Sequence, residues 1–99
     1  MAEHPLSVFQ RLDPALQKLV ESTGEFTLAD GALPKKVKLL IAMALDAAHG
    51  AVGGVRALAE EAMQAGATKE EIAETLRVSH YVSGVGSVYT AAHALKELL

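Results

Sequence analysis

Between Val37 and Ala48 only Lys38 and Asp46 are polar. A helix apolar nearly all round has to be wrapped by other helices or by other subunits. After Gly50 the pattern changes. Val52, Val55, Leu58, Ala59, Ala62 and Met63 fall on one helical stripe, and Arg56, Glu60, Glu61 and Gln64 fall off it. The spacing therefore predicts a central helix from Pro34 to about His49, with Gly50 as its C′ residue. A second, amphipathic helix is predicted from Val52 to Ala65, stopped by Gly66. Gly53-Gly54 near its start is a weak spot for helix propensity, which suggests close approach by a neighbouring helix or a ligand.

The rest of the chain reads as material that covers this pair. Residues 1–6 read as a tail, with His4 disordered in it. Leu6, Phe9, Leu12, Leu16, Leu19 and Val20 keep helical spacing, interrupted at Asp13-Pro14, an N-cap followed by a favoured first-turn residue. A short helical turn over 7–12 and a helix from Pro14 to about Ser22, ended by Gly24, are expected. A loop over 23–33 should tuck Phe26 and Leu28 onto the helices. Thr68-Lys69-Glu70-Glu71 is a capping box, with Thr68 as cap and Glu71 reaching back. The helix it opens should turn Ile72, Leu76 and either Tyr81 or Val82 inward. Gly84 and Gly86 should kink or break it before a last helix over about 87–98. No strand pattern and no repeat occur, so the class is all-α and residues 1–99 form a single domain.

Composition adds oligomerisation to this picture. Of the 99 residues 51% are apolar but only 4% aromatic. Small apolar residues suit close helix packing, and surplus apolar surface is best hidden between subunits, so a homo-oligomer is expected. The net charge is −3, with nine Lys and Arg spread along the chain. That argues against nucleic acid as a partner. No run is long enough for a membrane span, and the N-terminus lacks a signal-peptide pattern. There are no cysteines. The expected setting is cytoplasmic, with no disulfides.

The segment from Leu33 onward, above all Ala65-Gly66-Ala67-Thr68-Lys69-Glu70-Glu71-Ile72 and the glycine junction before Ser87-Val88-Tyr89, resembles the carboxymuconolactone decarboxylase family, which includes the AhpD-like alkylhydroperoxidases. The resemblance implies an AhpD-like helical bundle assembled as trimers, or as hexamers built from trimers. It implies either cofactor-free decarboxylation of a lactone acid or a thiol peroxidase activity of the peroxiredoxin type. The peroxidase branch uses a Cys-x-x-Cys pair at a helix start, where the helix N-terminus lowers a thiol pKa. A His one turn on and a Glu on the preceding helix assist proton transfer. Counted back from Gly66, the thiol positions fall at Ala51 and Gly54, the His at Leu58 and the Glu at Leu39. None of these four can move a proton or an electron. The resemblance therefore implies the scaffold without its thiol chemistry, and the decarboxylase branch also lacks its His at Leu58.

What remains is a sparse set of polar groups. Asp46 and His49, three apart at the end of the central helix, share a face. With Arg56, Gly53 and Gly54 they could form an anion or proton-transfer site, helped by free N–H groups at the next helix start. The bland alternative is a histidine capping a helix end, steadied by the dipole and by Asp46. His80 and Tyr81 precede the glycine junction and Tyr89 follows it. They either line one pocket, with His80 as acid or base, or the tyrosines are packing anchors. His93 is expected exposed. No local spacing supports a metal site through Asp46, His49 and His80, and no cofactor is expected. Two functions stay open. One is a cofactor-free enzyme or binder of a small organic acid at a subunit interface, with Asp46, His49 and His80 catalytic and Arg56, Gly53, Gly54 and Tyr81 binding. The other is a non-catalytic oligomeric binding or assembly protein.

Overall fold

The computed structural model describes residues 5–99. A 3-10 turn, Pro5–Val8, leads into α1 (Phe9–Leu12), α2 (Pro14–Leu28), α3 (Lys35–Ala48), α4 (Val52–Gln64), α5 (Lys69–Ser83) and α6 (Val85–Leu95). No strand occurs among the described residues. His4 and the rest of the expected tail up to residue 4 lie outside them; Pro5 and Leu6 already belong to the 3-10 turn. Among the described residues no helix is long and apolar enough to cross a membrane.

Local chemistry sets most boundaries. The Asp13 carboxylate accepts the Leu16 N–H at 3.0 Å, with Pro14 in the first turn of α2. The helix does not stop near Ser22 as expected but runs through Gly24 to Leu28. One interior glycine costs a helix about 1 kcal/mol. A 15-residue helix absorbs that when Leu28, in its last turn, packs half-buried against the core. The expected long loop shrinks to residues 29–34. There Asp30 accepts the Lys35 N–H at 2.7 Å, satisfying a free donor that Pro34, the N-cap of α3, has no side chain to serve. Lys38 Nζ donates to the Ala29 carbonyl at 2.7 Å.

α3 and α4 end in the same way. Gly50 has φ 79°, the Ala51 N–H donates to the Asp46 carbonyl at 2.9 Å, and the Gly50 N–H donates to that of Ala47 at 3.3 Å. Gly66 has φ 101°, with Ala67 donating to Ala62 at 2.9 Å and Gly66 to Met63 at 3.0 Å. Both are Schellman closures. The capping box at Thr68 and Glu71 is complete, at 3.1 and 2.9 Å. Gly84, at φ 90°, breaks the chain between α5 and α6, whereas Gly86 sits inside α6. The last helix thus starts two residues earlier than expected and ends at Leu95.

The core sits around α3, which packs on α4, α5 and α6. Leu39, Met43, Val55 and Ile72 are its enclosed large side chains, and Ala59, Ala62, Ala91 and Ala94 let the helices close in. The apolar wrap of α3 is one-sided, because Ile41 and Leu45 stay exposed. Phe26 (87% exposed) faces solvent against expectation, and so do both candidates for the inward position near the end of α5, Tyr81 (88%) and Val82 (74%). On α5 the inward position is taken by Ser79, whose hydroxyl donates to the Ala44 carbonyl at 3.4 Å. Near its end α5 therefore meets α3 through a small polar side chain where a bulky apolar one was expected, while Ile72 is buried and Leu76 packs against the core as expected.

Candidate functional site

Two places gather chemistry. The first is the turn between α3 and α4. The N-cap of α4 is Ala51, which offers no side-chain acceptor. Asp46 supplies negative charge there from the last turns of α3. Its carboxylate lies against Gly54, so close that a Cβ at residue 54 would overlap it. A carboxylate beside the first turn of a helix is favoured by the exposed N–H groups and the helix dipole. Of the two glycines, Gly54 is the one the approach requires, since nothing lies within 4 Å of a Cβ at Gly53. His49 is the exposed C-cap of α3, and its backbone N–H donates to the Leu45 carbonyl at 3.0 Å. Among the described residues no hydrogen bond joins its ring to Asp46. Arg56 is exposed and engaged with Glu60 at 3.5 Å and Glu97 at 3.7 Å.

The second place is a groove of about 460 Å³ between α5 and α6. Leu76, Val85, Val88 and Ala73 form apolar walls, and Arg77 and His80 stand in them. Among the described residues Arg77 has no carboxylate partner, unlike Arg56. The groove shares Leu76 and Val88 with a shallower one of about 370 Å³ that continues past Ala92 to Leu95 and Lys96. Gly84 makes this geometry: the break there lets α6 fold back beside α5. Tyr81 and Tyr89 do not line the groove and are mostly exposed.

The two places stay apart. His80 lines the α5–α6 groove, whereas Asp46 lies on the α4 side of α3, and no hydrogen bond or ion pair joins His80 to Asp46 or His49 among the described residues. Among those residues no group of three or more His, Cys, Asp or Glu could hold a metal ion. Arg77 escaped the sequence reading. The signal was its place three residues before His80, on one helical face with Ala73.

The family model of the carboxymuconolactone decarboxylase family matches residues 14–97. The chain belongs to that family. The match takes in α2 as well as the four core helices. A carboxymuconolactone decarboxylase family protein from Legionella pneumophila, whose crystal structure was solved in its apo form, is 37% identical. It superposes with a TM-score of 0.86 over 92% of this chain and 81% of that one. No curated protein sequence matches the chain.

Within this family member the four positions that the resemblance links to thiol chemistry serve the fold. Leu39 is buried and Leu58 packs half-buried against the same core. Ala51 is the α4 N-cap and Gly54 the seat of the Asp46 carboxylate. Leu39 lies seven residues before Asp46, about 10 Å along α3. The α3 residue that meets the start of α4 is thus Asp46.

Proposed function

We propose that this chain is a thiol-free family member that binds a small organic acid in the α5–α6 groove and assembles with copies of itself. The observation that carries the reading is Arg77: an arginine without a carboxylate partner, beside His80, in otherwise apolar walls. A guanidinium grips a carboxylate with two parallel hydrogen bonds, and His80 supplies a third donor. Leu76, Val85 and Val88 take the carbon skeleton. The volume lies in the range of small-molecule sites.

The α3–α4 turn suits an organic acid less well. Asp46 already holds negative charge over the start of α4, and Arg56 is engaged by two glutamates. An incoming carboxylate would meet a like charge there. In the groove His80 has no second acid or base beside it, so the arrangement favours binding over proton transfer. No redox cofactor is needed. A cytoplasmic setting belongs to the same reading, since a cysteine-free chain gains nothing from an oxidising compartment.

Assembly is supported by surface area; a trimer or a hexamer is what the family resemblance implies. A compact monomer of 10.4 kDa exposes about 5,400 Å². This chain exposes 6857 Å². The excess has the size that a stable interface covers. A specific observation favours a second reading, an assembly protein without ligand: Tyr81, Val82, Val85 and Tyr89 are all exposed around the groove.

Calorimetric titration with hexanoate, octanoate and benzoate separates the two. The ligand reading expects saturable binding that weakens at least tenfold in Arg77→Gln with no change in thermal stability. Assembly that persists while none of the three acids binds would favour the second reading.

A further inference from the structure

α2 turns its apolar side away from its own chain. Leu16, Leu19, Val20 and Phe26 form a stripe about 120° wide at helical spacing, and all four are exposed. The residues of α2 that are half-buried are Gln17, Gly24 and Leu28, on another side of the helix. No residue of α1 or α2 is fully buried. A stripe of this width on a surface helix ordinarily faces a core.

A matching surface exists elsewhere on the molecule. Between α3 and α5 runs a groove of about 340 Å³ whose walls include Val37, Ile41, Leu45 and Val78. Thr75 is its one polar side chain and no charge lines it. The other apolar grooves carry polar or charged side chains, Arg77 with His80 in one and Lys96 in its continuation. The α2 stripe holds no charge to meet them. Lengths agree too. Leu16 to Phe26 spans about 15 Å of helix, and Val37 to Leu45 about 12 Å.

We propose that α2 of one copy docks, apolar stripe inward, into the α3–α5 groove of a second copy. The proposal rests on the self-assembly reading above and adds which surfaces meet. The surface in excess of a compact monomer is roughly 1,500 Å², and a standard interface takes about 800 Å² per partner. One arm in one groove, given and received by each protomer, is of that order. The occupant is a copy of this chain because the exposed stripe and the uncharged groove are both present on every copy. When the exchange closes symmetrically, neither surface is left bare.

The chain has no cysteine, so single cysteines report contacts without background. Leu19→Cys chains are mixed with chains carrying Ile41→Cys, Leu45→Cys or Val78→Cys and oxidised mildly. Val88→Cys, on the α5–α6 groove, serves as the control, and light scattering reads the assembly of the unmodified chain. All these positions are exposed, so folding is retained. The expected result is a mixed disulfide from Leu19→Cys to at least one α3–α5 position, in excess of its disulfides with itself and with Val88→Cys. An oligomer in which Leu19→Cys joins mainly to itself or to Val88→Cys overturns the docking and leaves self-assembly standing. A monomer at every concentration overturns both. As a second readout, Leu16→Glu with Leu19→Glu should weaken assembly at least tenfold with helix content unchanged; unchanged assembly contradicts the proposal.

Discussion

Gly54 and Asp46 are coupled through space, and that coupling fixes what substitutions at either position do. Replacing a helical glycine by alanine gains up to about 1 kcal/mol of helix propensity. At residue 54 the new methyl displaces the Asp46 carboxylate from the start of α4, forfeiting about 0.3–1 kcal/mol of charge–dipole stabilisation. Gly54→Ala should therefore be near neutral in the wild-type chain. In an Asp46→Ala background it should stabilise by about 0.5–1 kcal/mol, since only the propensity gain remains. Urea denaturation of the four chains measures this, and equal effects in both backgrounds would remove the contact from the account. Glu71 sets a pH dependence. The Thr68 backbone N–H, and after it the Lys36 ammonium at 3.0 Å, hold its carboxyl below the ordinary 4.5. A folded-state pKa that is depressed adds stability above the unfolded value, and that stability is lost as pH falls through the folded one. Glu71→Gln keeps the capping geometry but not the charge. Its denaturation midpoint should fall less than that of the wild-type chain between about pH 5 and pH 3.

Elements were legible in the sequence where a few adjacent residues decide them. Thr68 with Glu71, Gly50 and Gly66 each close a helix end through bonds within six residues, and each sits where the pattern placed it. Gly24 misled because a glycine is a stop only when the chain after it turns; here Glu25 to Leu28 continue and Leu28 finds the core. The side chain of residue 24 would meet nothing within 4 Å, and its φ is not positive. Gly24→Ala should thus stabilise by about 0.5–1 kcal/mol. A lower melting temperature for this variant would mean that α2 ends earlier. The orientation of Phe26, Tyr81 and Val82 was not legible. Their apolar character marks them for burial, but nothing among the described residues covers them. The spacing of Asp46 and His49 suggests one shared face, yet the carboxylate faces Gly54, a preference that depends on how α4 doubles back. The α5–α6 groove needs the backbone break at Gly84 and the placement of two helices, so Arg77 could be recognised only once both were in place.

At the scale of the whole molecule, a family scaffold is kept while the positions tied to its thiol chemistry have become packing and capping positions. The four core helices enclose a small aliphatic interior, and much apolar surface on α2, α3 and α5 is left outside it. In the proposed reading an oligomer covers such surface, and the α5–α6 groove with its unpaired Arg77 takes the ligand. The proposed function stands on where a ligand sits. Backbone and histidine side-chain NMR shifts, followed while octanoate is added to the intact assembly, locate it most directly. A ligand in the α5–α6 groove makes His80, Val85 and Val88 move together and saturate, while Gly53, Gly54 and His49 stay still. Shifts centred on Gly53 and Gly54, with the α5–α6 groove silent, would contradict it.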